Sequence, residues 1–155
     1  MNTVQTIVGV SSFRGPYAFL SNFHPAPIAY GKVVWPTAEH MYQAAKSTDR
    51  WERDQVRSAE TPGQAKRMGK HITLRKDWSD EKRLEIMETI VRMKFQQNPD
   101  LAQMLLDTED MELVEGNNWN DRFWGMVWNA NKVCWEGENH LGKILMKIRE
   151  ELRKK

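Results

Sequence analysis

The chain has a single cysteine, Cys134, among 155 residues. One thiol closes no intrachain disulfide and builds no thiolate cluster for zinc, so the sequence predicts a protein of a reducing cytoplasm without structural zinc. No apolar run approaches the ~20 residues that cross a bilayer, and the first residues show neither a basic n-region nor an apolar h-region. Membrane and secreted readings therefore fall away. Charge of one sign is also missing. Twenty-three Lys and Arg face 21 Asp and Glu, and the net charge of +2 makes no case for nucleic acid, although a pI near 8.7 suits phosphorylated ligands. With no Gly-rich phosphate loop, no G-x-S-x-G elbow and no H-E-x-x-H, kinase, serine hydrolase and zinc protease chemistries lack their parts. What is abundant is tryptophan: seven, against three Tyr and five Phe, in a chain whose mean hydropathy is −0.71.

At this length folding buries about two-thirds of the unfolded chain's surface, enough for one core. No repeat, low-complexity tract or linker divides the chain, so residues 1–155 are expected to form a single domain. Thr3 to Val10 is β-rich, and Ile28-Ala-Tyr-Gly-Lys-Val-Val-Trp35 places two short apolar runs around a Gly turn, predicting a small hairpin. Between them, Phe13-Arg-Gly-Pro-Tyr-Ala-Phe-Leu-Ser-Asn-Phe23 has no helix or strand period and suits a packed loop.

From Pro36 the pattern turns helical, with Thr37 a candidate N-cap for the segment running to Lys46. A charged helix is predicted over Asp49 to Ala59. Thr61-Pro62 opens another that ends near Gly69, and the longest is predicted from about Ser79 to Gln97 on the apolar face of Leu84, Met87, Ile90, Val91 and Phe95. Asn98-Pro99 restarts the chain into a helix ending near Asp107. Met111 to Glu115 alternates like a strand, and Leu141, Ile144, Leu145, Ile148 and Leu152 predict a last helix from about His140. Gly116 to Asn139 has no period, yet it holds four of the seven tryptophans and is rich in Asn; it reads as an ordered functional loop.

On the helix after Pro36, Glu39, Gln43 and Lys46 fall at i, i+4 and i+7 and share one face, while Met41, Ala44 and Ala45 point elsewhere. That stripe is either a solvated polar face or an acid and an amine looking into a cleft, where they could act as acid, base or nucleophile. Trp124 and Trp128 fit a core under the last helix. Trp78, beside Asp77 before a helix start, and Trp119, among Asn117, Asn118 and Asn120, fit a ligand site better, because an indole face stacks on a base for about 1–3 kcal/mol. Arg14 with Gly15 could meet a phosphate or be a surface turn. Asp121 is either a half-buried acid or an Asx-turn residue. His40 reads as a helix-surface or packed histidine and Cys134 as an inert small hydrophobe; no second His or Cys makes a metal site.

Several blocks occur in a characteristic order: Phe13 to Phe23, Trp35-Pro-Thr-Ala-Glu-His-Met-Tyr-Gln-Ala-Ala-Lys46, Thr61-Pro-Gly-Gln-Ala-Lys66 with Gly69, Trp78, Leu113-Val-Glu115, Asp121-Arg-Phe-Trp-Gly125, and Asn139-His-Leu-Gly142-Lys-Ile-Leu-Met146. Over about residues 10 to 152 the chain resembles the YbiA-like, or NADAR, family. It departs at Met126-Val127, where a second glycine is expected two residues after Gly125. The resemblance implies a helix-rich α+β domain with a small antiparallel β element and an N-glycosidase activity. Its substrates would be phosphoribosylamino-pyrimidine intermediates of riboflavin synthesis, or ADP-ribose attached to guanine, as nucleotide or nucleic acid. It further implies a catalytic role for Glu39, Lys46 and Asp121. Substrate contacts are implied for Arg14, Gly15, Ser21, Asn22, Trp78, Trp119, Trp124, Gly125 and Asn139.

Cleaving an N-glycosidic bond builds positive charge at the anomeric carbon and needs a proton on the leaving nitrogen. Glu39 could stabilise that centre or handle the proton, and Lys46, if burial lowers its pKa with help from Arg14 or Arg122, could form an imine with the opened sugar. Trp78 or Trp119 would stack on the base, Arg14 would hold phosphate, and Asp121 would bind ribose hydroxyls or orient Lys46. No metal, redox cofactor or obligate protein partner is called for. Two other readings compete: a non-catalytic ADP-ribose or nucleotide-binding module using the same pocket, and a nucleic-acid binder using the basic end at Arg149 and Arg153 to Lys155.

Overall fold

The computed structural model describes residues 9–155. The β-rich segment expected from Thr3 therefore lies outside them except for its last two residues. In chain order the elements are β1 (Gly9–Val10), a 3-10 helix (Gly15–Leu20), β2 (Ile28–Tyr30), β3 (Val33–Trp35), α1 (Ala38–Ala45), α2 (Arg50–Arg57), α3 (Pro62–Met68), α4 (Asp80–Gln97), α5 (Pro99–Asp107), β4 (Glu112–Leu113), β5 (Gly116–Asn117), β6 (Met126–Asn129), β7 (Cys134–Glu136) and α6 (His140–Arg153). This is the mixed α+β composition that the sequence predicts. The chain sorts into two units, Asn22–Asp100 and the remainder, residues up to Ser21 together with Leu101–Lys155.

In the unit Asn22–Asp100, four helices begin where the sequence predicts, two of them on the caps read at Thr37 and Thr61. Thr37, Asp49, Thr61 and Ser79 each accept from the backbone N–H three residues on, which satisfies donors that a first helical turn leaves unpaired. Pro62 follows Thr61 at the first helical position, where no N–H is needed. β2 and β3 form the expected hairpin, Ile28 opposite Trp35, turning at Gly31 with φ of 63°. The Gln97 side chain clamps that hairpin to the end of α4, accepting from Ala29 N at 2.7 Å and donating to Ala29 O at 2.9 Å.

The helix α1 lies among α2, α3, α4 and β3, and every residue from Ala38 to Ala44 is buried. Short side chains at Ala38 and Ala44 let neighbours approach closely, so the polar stripe is enclosed along with the apolar face and is not a solvated surface. α4 turns Met87, Ile90, Val91 and Phe95 inward, and with them Lys94, which is 1% exposed. Asn98 and Pro99 restart the chain into α5 as expected, and the Asn98 amide also donates to Lys94 O and Pro27 O and so closes α4.

In the other unit, Phe13 to Phe23 is less irregular than its lack of period suggests. Pro16 starts one tight 3-10 helix that buries Phe19 and Leu20, and three residues per turn leave no α-helical signature. β1 pairs in parallel with β4, and α6 covers β4 with Leu141, Ile144, Leu145 and Ile148. Gly116 to Asn139 is not one long loop: β5, β6 and β7 form a small sheet, Gly116 opposite Met126 and Trp128 opposite Trp135. Trp128 stands at 40% exposure and does not sit under the last helix. Met126-Val127, where the second glycine was expected, begins β6, a position that needs no glycine backbone.

Candidate active site

The stripe on α1 is the chemical centre of its unit. Glu39 is 7% exposed, and Gln43 Nε2 donates to its Oε1 at 2.7 Å. Burial pushes the Glu39 carboxyl above the ordinary carboxylate range. The Gln43 hydrogen bond and the charges of Lys66 and Lys46 pull the other way, so desolvation outweighs them. Asn22, 8% exposed, supports the helix entry, its backbone carbonyl accepting from Glu39 N at 3.1 Å and its amide donating to Met87 Sδ at 3.4 Å.

Lys46 caps the C-terminal end of α1 and is half-buried. Burial lowers its pKa; Glu39 opposes this, while Arg83, Lys66 and Lys70 lower it further. The expectation that Arg14 or Arg122 supplies this repulsion is corrected. The cations come from α3, the turn after it, and α4, contacts between distant segments that no local pattern records. Lys46 Nζ stands 5.4 Å from the centroid of the Tyr42 ring, and Tyr42 is 5.9 Å from Trp78 at an interplanar angle of 51°. Trp78 is brought there by Arg75, whose backbone N–H donates to Lys46 O at 2.7 Å and whose Nη1 reaches Ala45 O at 3.3 Å. His40 is a packed histidine. Nε2 faces the Ala59 carbonyl at 3.0 Å, which only accepts, so that nitrogen carries the proton and Nδ1 accepts from the Thr37 hydroxyl at 2.8 Å. Tyr42, Lys66, Lys70 and Arg83 are the residues that sequence reasoning missed here; Tyr42 and Lys66 lay in quoted motifs, and Lys70 and Arg83 did not.

The other unit holds the remaining candidates. Arg14 and Gly15 are exposed at the start of the 3-10 helix, where Gly15 turns with φ of 56°, and Ser21 ends that helix. Trp119 is 51% exposed. Asp121 resolves as the Asx-turn residue: its Oδ1 accepts from Phe123 N at 3.1 Å and Trp124 N at 2.9 Å. Asn117 clamps the same turn, accepting from Asp121 N at 2.9 Å and donating to Asp121 O at 2.8 Å. Trp124 stacks edge-on with Phe123, centroids 4.8 Å apart. Asn139 is 4% exposed, and its amide is committed to backbone, donating to Leu113 O at 2.9 Å and accepting from Glu115 N at 3.1 Å. Gly125 is required by space, since a Cβ there would stand 2.0 Å from Glu115 O. The basic end is not a free patch: Arg149 is buried on Thr108 Oγ1 and Met111 O, and Arg153 pairs with Asp110 and Glu150. Among the described residues no group of three or more His, Cys, Asp or Glu is placed to hold a metal ion, and no helix is long and apolar enough to cross a membrane.

A buried carboxyl with a raised pKa and a lysine with a lowered one, with aromatic rings beside it, can carry general acid-base or imine chemistry. Comparison with known proteins identifies the family. Residues 11–153 match the NADAR domain. The N-glycosidase YbiA of Escherichia coli is 37% identical over 149 residues, 95% of this chain and 89% of that protein. An N-glycosidase of Nostoc punctiforme is 43% identical over 143 residues, 89% of this chain and 87% of its own. A riboflavin biosynthesis protein of Vibrio vulnificus is 42% identical over 139 residues, 88% of this chain, and the chain spans only 36% of that protein's length. The NMR structure of Escherichia coli YbiA superposes with a TM-score of 0.76 at 34% identity, covering 99% of this chain and 94% of that one.

Proposed function

The chain belongs to the NADAR domain family and is an N-glycosyl hydrolase, and from that premise we propose that the bond it cuts joins a ribose to a base, with Glu39 and Lys46 as its chemical residues. The base is that of ADP-ribosylated guanine, free or in nucleic acid, or of a phosphoribosylamino-pyrimidine intermediate of riboflavin synthesis. The observation that carries the reading is a buried acid and a half-buried amine, whose pKa burial lowers, on one stripe of α1. Burial shifts each group toward its neutral form, and perturbed acids and bases of this kind cluster at functional sites.

In the reaction the N-glycoside opens to a C1 imine. The neutral Lys46 amine adds to C1, the base nitrogen leaves with a proton from Glu39, and a lysine imine remains. Water then adds to C1, its protons passing to Lys46 and back to the Glu39 carboxylate, which releases the sugar and restores both groups. A protonated lysine beside a developing cation would raise the barrier, and this favours the covalent route over direct attack by water. Trp78 is assigned to stack on the base. By their positions in the family motifs, Arg14, Gly15, Ser21 and Asn22 are assigned to the sugar-phosphate, Trp119, Trp124, Gly125 and Asn139 to substrate contacts, and Asp121 to ribose hydroxyls. The whole of residues 1–155 is read as one catalytic domain, needing no metal or partner chain, in a reducing cytoplasm consistent with its one thiol.

Incubation with both substrate types, followed by mass spectrometry for the free base, tests the reading. Base release from one of them supports it and names the substrate. A ligand-dependent rise in melting temperature without release overturns it in favour of a binding module.

A further inference from the structure

Gln43 lies between Glu39 and Gly69 and has no role in the reaction as written. Its side chain is 4% exposed, so its amide is not a solvated ornament of the helix. A carboxylate only accepts, which fixes the donor Nε2 toward Glu39 and turns Oε1 the other way. Oε1 is buried and finds no hydrogen-bond donor among the described residues. It faces Gly69, where a Cβ would stand 1.9 Å from Oε1 and 2.7 Å from the amide carbon. The Gly69 backbone, at φ of −59° and ψ of −18°, suits any L-residue. Space for the Gln43 amide, not backbone freedom, therefore demands glycine here.

We propose that Gln43 is a positioning residue for Glu39, its amide wedged against Gly69 so that the carboxyl is held at one orientation toward the reacting bond. The inference rests on the catalytic role assigned to Glu39. Burying an acceptor without a donor costs stability, and a stretch of core that keeps such a group gains something else from it.

The test is Gln43→Leu, of similar size without a donor, with Gln43→Met as a second variant should the first fold poorly, and Gly69→Ala. Gln43→Leu should lower kcat about ten- to hundredfold, the range for a lost hydrogen bond to a charged group, with KM within about threefold of wild type. Because the Gln43 bond favours the ionised carboxyl, its loss should move the Glu39 limb of the pH profile to higher pH. Lys66 of α3, Lys46 of α1 and the His40 imidazole, the other groups bearing on Glu39, are unchanged in every variant. Gly69→Ala should reproduce both effects, and in a Gln43→Ala background it should add nothing further. Carbon-13 NMR of glutamate-labelled protein should show the Glu39 carboxyl titrating higher in Gln43→Leu, independently of any substrate. An unmoved Glu39 titration, or kcat losses from Gly69→Ala and Gln43→Ala that simply multiply, overturns the inference. Absence of base release by the wild type overturns the catalytic reading instead, and the NMR titration then still decides whether Gln43 governs Glu39.

Discussion

Lys46 Nζ stands 5.4 Å from the centroid of the Tyr42 ring, a position that rewards the ammonium, while burial and the charges of Arg83, Lys66 and Lys70 penalise it. Such opposition leaves the amine able to give up its proton without becoming permanently neutral. Borohydride added during turnover should fix a ribose-derived mass on the peptide containing Lys46, and Lys46→Ala should abolish base release. Verified turnover with no trapped adduct would assign the attack to water.

Glu39→Gln should reduce kcat by about 10²–10⁴, the usual worth of a positioned acid or base. It should also raise the melting temperature at pH 7. The folded pKa lies above 4.5, so ionisation is harder in the folded chain, and stability present at acidic pH is lost as pH rises through the folded value. Replacing the carboxyl removes that loss, and the gain should vanish below pH 4.5. Equal melting temperatures across this range would show that the carboxyl is not under strain.

Lys94 makes a separate prediction about stability. Burial lowers its pKa from 10.5 to about 7, so the unfolded chain takes up a proton that the folded chain refuses. Stability contributed by the neutral amine is complete above 10.5 and declines as pH falls toward 7. Lys94→Met should therefore be more stable than wild type at pH 7. The difference should shrink by about 1.4 kcal/mol per pH unit between those limits in urea unfolding. A difference independent of pH would mean that Lys94 stays charged inside the fold.

Asn139 should prove costly to replace. It sits at φ of 53° and bonds Leu113 O and Glu115 N through its amide, so Asn139→Ala loses both bonds and strains the backbone, a loss of about 3 kcal/mol. Asn139→Gly relieves the strain alone and should fall between. Should the two variants denature at the same urea concentration, the positive φ is not part of the cost.

Local chemistry was the legible part of this chain. Thr37, Asp49, Thr61 and Ser79 declare their helices because a cap needs only the next three residues. The alignment of Glu39, Gln43 and Lys46 follows likewise from helical geometry. Whether that stripe is wet or enclosed depends on how α2, α3, α4 and β3 pack on it, and eight residues with Glu, His and Gln among them do not declare it. The same holds for β5 to β7, whose strands of two to four residues are too short to alternate and are defined by their partners. Arg149 reads as part of a basic end, yet Thr108 and Met111 draw it inward.

Contacts around residues 113–116 end on main-chain atoms. Asn139 holds Leu113 O and Glu115 N, Gly125 closes on Glu115 O, Gly142 on Leu113 O, and Gly116 on Ser11 O. A side-chain replacement at Leu113, Val114 or Glu115 leaves every one of these meetings in place. Adding or deleting a single residue displaces them all at once, since each carbonyl would move by a full residue step of about 3.3 Å while its glycine stayed behind. Length variation should therefore be excluded from this segment far more strictly than substitution, and insertions into the chain should be carried by its other turns.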